Sequence, residues 1–140
     1  MLENIIRAKT KNRIKGRTVT VITGVNYSVP AGQTQIIITD KAGNSSKVPI
    51  FLWKVITDSL TASSVAIVQI NAPATLIEEI NNYRVCESQC NQITWIKEID
   101  EEYLKSGFML CCDIVQFEKN FHFKELFNKG YRKLLTSFDY

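Results

Sequence analysis

Four cysteines fall in two clusters, Cys86-x-x-x-Cys90 and the adjacent pair Cys111-Cys112. Four thiolates can hold zinc, but zinc sites favour C-x-x-C spacing, and neighbouring cysteines are poorly shaped for one tetrahedral ion. An even count in two clusters fits two disulfides better, each bridge joining one cluster to the other. Successive residues on a strand point to opposite faces, so Cys111 and Cys112 would each meet a different partner. The pairing itself stays open, and free buried thiols are the third option. Disulfides would imply a secretory or vesicular compartment.

A second chemical feature is charge. Residues 1–17 hold six basic groups (Arg7, Lys9, Lys11, Arg13, Lys15, Arg17) against one acid, Glu3, a local net of +5. The whole chain has a formal charge of only +3, so the excess sits in this segment. Such density attracts polyanions, although charge alone equally describes a solvated helix surface and a lysine-rich turn. The only histidine is His122, inside Phe121-His122-Phe123. No serine or cysteine motif accompanies it, and an aromatic helix face explains it without catalysis. The sequence contains no G-x-x-x-x-G-K, G-x-G-x-x-G or H-E-x-x-H pattern.

The elements that would position these residues follow from periodicity. Leu2, Ile5 and Ile6 make one apolar stripe and Glu3, Arg7 and Lys11 another face, which predicts a helix over 2–12 stopped near Gly16. Thr18–Thr23, Gln35–Thr39, Ile50–Thr57 and Ser64–Asn71 read as strands, with Pro49 confined to a strand start. Turns over Asp40–Ser46 and Asp58–Ser63 would join them into an antiparallel meander. Beyond Pro73, Leu76–Tyr83 and Cys86–Ile96 show helical spacing, and Glu98–Lys105 predicts a short helix ended by Gly107. Phe108–Cys112 predicts a last strand. Asp113–Phe127, with Val115, Phe117, Phe121, Phe123 and Phe127, predicts an amphipathic and partly helical stretch. Trp53 and Trp95 are expected in the core.

Composition bounds the class. The chain has 140 residues, 45% hydrophobic and 22% charged, which excludes a disordered tail, a collagen-like repeat and a coiled coil. Its apolar runs are far shorter than the ~20 residues that span a bilayer. No charged stretch followed by an apolar one opens the chain as a signal peptide would.

Several short stretches, in order, resemble the C-terminal half of the DNA/RNA non-specific endonucleases. Leu2-Glu3 followed by Arg7 resembles the family's L-E-x-x-x-R helix. Val19–Gly24 resembles a strand ending in V-x-T-G. Val48-Pro49 with Trp53-Lys54-Val55 resembles I/V-P-x-x-x-W/Y-K-V, and Asn71-Ala72-Pro73 resembles N-x-P. The cysteine clusters with Trp95 and Gly107-Phe108 are similar to the secreted animal branch. The resemblance covers about residues 2–120.

The resemblance implies an α+β fold: an antiparallel sheet flanked by helices, the C-terminal part of the ββα-metal nuclease fold, with residues 1–140 as a partial domain. It implies Mg²⁺-dependent phosphodiester hydrolysis of DNA and RNA with little sequence preference, by contact with backbone phosphates. Glu3 and Arg7 would be the catalytic pair. Glu3 would orient water in the metal's shell, and Arg7 would hold the scissile phosphate as charge builds. Lys9, Lys11, Arg13, Lys15 and Arg17 would extend the nucleic-acid surface with Arg7. DNA and RNA are the expected partners. A homodimer is compatible with the resemblance, no membrane is expected, and the location is extracellular or vesicular.

The family's D-R-G-H-like histidine motif, which activates water, does not occur, and His122 lies in a different context. The metal-binding asparagine would fall before Met1, and Asn4 does not replace it. The expectation is therefore a C-terminal fragment, inactive as a nuclease alone. The alternatives are a non-catalytic nucleic-acid-binding or regulatory product, and a truncated gene product without stable function, which would expose an apolar sheet face.

Overall fold

The computed structural model describes residues 17–27, 37–71, 83–98, 108–123 and 130–138. Seven strands are present there: β1 (Val19–Asn26), β2 (Ile37–Thr39), β3 (Ser45–Lys47), β4 (Phe51–Asp58), β5 (Ser63–Ile70), β6 (Met109–Cys112) and β7 (Lys133–Leu134). One α-helix, α1 (Ile114–Asn120), follows β6 directly. The class is α+β, with mostly antiparallel sheet.

Strands β1, β4, β5 and β6 lie side by side in that order, all antiparallel to their neighbours. The short β7 runs parallel to β5, opposite Ser63 and Ser64. The β-branched runs of β1, β4 and β5 suit a pleated surface, which is why they were visible as strands. The meander is corrected. The neighbour of β1 is β4, not β2; β2 and β3 form a separate hairpin. The reason is local. Asp40 closes the turn by accepting the backbone N–H groups of Ala42 and Asn44 on its carboxylate, and Gly43 takes a left-handed φ of +85°. That leaves Ser45–Lys47 free to pair with Ile37–Thr39, so part of the predicted turn is strand. The same bonds, that from Asn44 first, hold the Asp40 carboxyl below its ordinary pKa.

The sheet is covered on both faces by strand alternation. Phe51, Trp53, Val55, Ala66, Val68, Ile70, Leu110 and Cys112 share one face with Tyr83, Cys86 and the helix residues Ile114, Phe117 and Phe121. Ile56, Val65, Ile67, Met109 and Cys111 share the other with Ile93, Trp95, Ile96, Leu135 and Phe138. Both tryptophans are core, as expected. Among the described residues, an α-helix covers one face only. Among the described residues α1 is the one α-helix, and the predicted helical stretch Cys86–Ile96 holds two 3₁₀ turns, Cys90–Gln92 and Thr94–Glu98. Thr94 N–H donates to the Thr136 carbonyl and Trp95 Nε1–H to the Leu135 carbonyl, so this segment is tied to the chain end.

Asp113 caps α1 by accepting Gln116 N–H at 2.9 Å. The helix stops at His122, which takes a left-handed φ of +59° while Phe123 N–H reaches back to the Glu118 carbonyl. Phe117 and Phe121 are buried as the amphipathic pattern predicts, but Val115 is exposed. The predicted helix over 2–12 and all but one residue each of those over 76–83 and 98–105 lie outside the described residues.

Gly24 lies opposite Trp53 across β1 and β4. A Cβ placed there would run into Cζ2, Cη2 and Cε2 of the Trp53 ring. Phe117 and Phe123 pack edge-on against that ring at 5.3 and 5.5 Å, so it has little room to yield. Gly24→Ala is expected to cost about 1–3 kcal/mol through overpacking. Urea unfolding checks this, and a midpoint equal to the parent's would refute it.

Candidate functional site

Glu3 and Arg7, the catalytic pair implied by the resemblance, lie outside the described residues, as do Lys9, Lys11, Arg13 and Lys15. Arg17 is described, and its surroundings are specific. Its guanidinium grips Asp58 with both arms, Nε to Oδ1 at 3.1 Å and Nη2 to Oδ2 at 3.0 Å. The two side chains are 5% and 0% exposed. The guanidinium also lies over the Phe138 ring, 5.2 Å from its centre. Asp58 further accepts Leu60 N–H and the Thr61 hydroxyl, each at 3.1 Å.

This arrangement is an anchor. A fork of N–H donors satisfied by a buried carboxylate is not displayed toward solvent for a phosphate. The network ties Arg17, two residues before β1, to the β4–β5 turn and to Phe138. Sequence reasoning placed Arg17 with the surface cations and Asp58 merely at a turn. The one available signal was Asp58-Ser59-Leu60-Thr61, whose spacing suits side-chain closure of a turn.

The cysteines form two bridges, Cys86–Cys112 and Cys90–Cys111, with Cα separations of 5.7 and 4.9 Å. No described cysteine is free. Each bridge joins one cluster to the other, as the spacing predicted. Cys112 points to the α1 face and Cys111 to the opposite face, so residues 86–90 must cross the outer edge of β6. They bond to it on the way: Gln89 N–H donates to the Cys111 carbonyl at 2.8 Å, and Cys111 N–H donates to Ser88 Oγ at 3.2 Å. Two disulfides are the mark of an oxidising compartment. Among the described residues, no helix is long and apolar enough to cross a membrane.

His122 is exposed at the end of α1, in a backbone conformation set by helix termination, and not on an aromatic helix face. Among the described residues no cluster of three or more His, Cys, Asp or Glu side chains is placed to hold a metal ion.

Among the described residues, several stretches that carried the family resemblance lie in or beside the main sheet. Val19–Gly24 pairs with Trp53-Lys54-Val55 in direct register: Ile22 opposite Val55, Thr23 opposite Lys54, Gly24 opposite Trp53. Lys54 Nζ donates to Thr23 Oγ1 at 3.0 Å. Asn71 donates through its side chain to the Pro49 carbonyl at 2.9 Å and through its backbone to the Ile50 carbonyl at 2.7 Å. Phe108 accepts Ile70 N–H, and β6 with its cysteines lies beside β5. Comparison with protein-family models, curated proteins and solved structures gave no match.

Proposed function

We propose that this chain is a nucleic-acid-binding module of the DNA/RNA non-specific endonuclease type, from the C-terminal part of that fold, which binds phosphate backbones and does not cleave them alone. One observation supports the reading above the others. The separate stretches Val19–Gly24 and Trp53–Val55 pair directly, Asn71 bonds to Pro49 and Ile50, and Met109–Cys112 lies in the same sheet one strand further on, beside β5. The paired disulfides support a secreted or vesicular location.

The chemistry assigned to this chain is binding. Arg7 with Lys9, Lys11, Arg13 and Lys15 supplies cations for backbone phosphates, giving affinity with little sequence preference. Arg17 is left out of that set because its charge is satisfied by Asp58. Glu3 and Arg7 would serve hydrolysis only with a water-activating histidine, and this sequence carries no D-R-G-H-like motif. In the parent reaction Mg²⁺ polarises the phosphate.

Replacing Lys9, Lys11, Arg13 and Lys15 with glutamine, with Arg17 retained, tests the binding surface. Fluorescence anisotropy across a salt series should show the slope of log K against log salt flattening by about 0.9 per lost phosphate contact on duplex DNA. An unchanged affinity and slope would overturn the assignment.

A further inference from the structure

The tripeptide Asn44-Ser45-Ser46 falls where β2 turns into β3. An asparagine two residues before a serine or threonine, with no proline between them, is the acceptor pattern for N-linked glycans. The pattern alone is common, and it is used only on a surface segment of a chain that enters the secretory lumen. Two separate observations meet those conditions. The bridges Cys86–Cys112 and Cys90–Cys111 belong to an oxidising compartment, the kind in which this transfer takes place. Every residue from 37 to 47 is exposed, the tripeptide included.

The turn holds the backbone of Asn44 and leaves its amide accessible. Asp40 N–H donates to the Asn44 carbonyl, and Asn44 N–H donates to Asp40 Oδ1, both at 2.9 Å. The side chain makes a longer bond, Nδ2 to Asp40 Oδ2 at 3.3 Å. An amide nitrogen carries two hydrogens, so one can be exchanged for a sugar while the other stays on Asp40. Ser46, whose hydroxyl completes the pattern, is exposed on β3 opposite Ile38. A second tripeptide of this type, Asn26-Tyr27-Ser28, begins on the last residue of β1. Asn26 is only partly exposed and stands in register with the buried Phe51, and Ser28 lies outside the described residues. A sugar stem there would have to leave from within the sheet, so Asn44 is the better placed acceptor.

We propose that Asn44 is an acceptor site for an N-linked glycan. The donor is an oligosaccharide carried on a lipid diphosphate, and the catalyst is an oligosaccharyltransferase. Asn44 Nδ2 bonds to the anomeric carbon of the first sugar. The bond from that carbon to the diphosphate oxygen breaks, the lipid diphosphate leaves with the electron pair, and Nδ2 gives up one proton. Nothing is oxidised or reduced. The glycan, bulky and solubilising, would also screen Ile37 and Ile38 on the adjoining strand, which are 57% and 61% exposed. The inference rests on the oxidising location drawn from the bridges and not on nucleic-acid binding.

The full chain, sent by a leader into the secretory pathway of cultured eukaryotic cells, should carry a glycan that an N-glycan amidase removes, leaving an aspartate where the glycan stood. Asn44→Gln and Ser46→Ala should each lose one glycan. Ser46→Thr and Ser45→Ala should keep it, which separates the acceptor pattern from damage to the hairpin. Mass analysis without reductant reports the bridges in the same samples. A bridged chain with Asn44 unmodified, or a glycan on Asn44 that survives Ser46→Ala, would overturn the proposal and leave the location standing. A chain with neither bridges nor glycan would overturn both.

Discussion

Removal of both disulfides, by Cys→Ala at 86, 90, 111 and 112, is expected to cost about 5 kcal/mol and to release residues 83–98 from the sheet. The bridges close loops with sequence separations of 26 and 21 residues. A loop of that size contributes about 3 kcal/mol by restricting the unfolded chain. The two are not independent, because they start four residues apart and end on neighbours. With one bridge intact, the second closes only a short extra ring, which the same relation values at about 2 kcal/mol. Each single removal should therefore cost about 2 kcal/mol, and the double less than two isolated loops. The bridges also pin opposite faces. Loss of Cys86–Cys112 should loosen the Tyr83 side first, and loss of Cys90–Cys111 the Ile93–Ile96 side. Urea unfolding gives the free energies and amide exchange the location. A four-cysteine variant within 1 kcal/mol of the parent (about one RT ln 5,) would contradict this.

Asp58→Ala should cost about 3–5 kcal/mol, the usual penalty for stranding one partner of a buried ion pair. The pair is well buried and bidentate, so the Arg17 charge would be left in an apolar setting against Phe138. The informative comparison is the double variant Arg17→Met with Asp58→Leu. Removing both charges takes away the desolvation penalty, so the double should recover part of the loss. It should not recover all of it, because Asp58 also holds Leu60 N–H and the Thr61 hydroxyl, and those turn donors would be abandoned. Chemical denaturation of the three variants checks this. An Asp58→Ala midpoint near the parent's, or a fully restored double, would refute the anchor.

The strands were legible in the sequence because Val19–Val25, Phe51–Thr57 and Val65–Ile70 are rich in β-branched and apolar residues, with turns between. The bridges were legible because alternation sends Cys111 and Cys112 to opposite faces. Strand order was not, since nothing local tells β1 to pair with β4 across 24 intervening residues while β2 and β3 close on themselves. Cys86–Ile96 carries helical spacing but bonds to residues 135 and 136 and to β6, so tertiary ties override its periodicity. Arg17 reads from the sequence as one more cation of the basic run because its partner is 41 residues away. The residues on which catalysis would turn, Glu3 and Arg7, lie outside the described residues, so of the candidate site the structure reaches only Arg17 and the cysteines.

The central claim is binding to phosphate backbones without sequence preference and without cleavage. It is tested most directly by titrating the full chain against two unrelated duplexes of equal length, one DNA and one RNA, over a salt series with Mg²⁺ present. The account predicts binding to both, an affinity that falls steeply with salt, a similar slope for each, and intact nucleic acid recovered afterwards. No binding at low salt, or an affinity indifferent to salt, would contradict it.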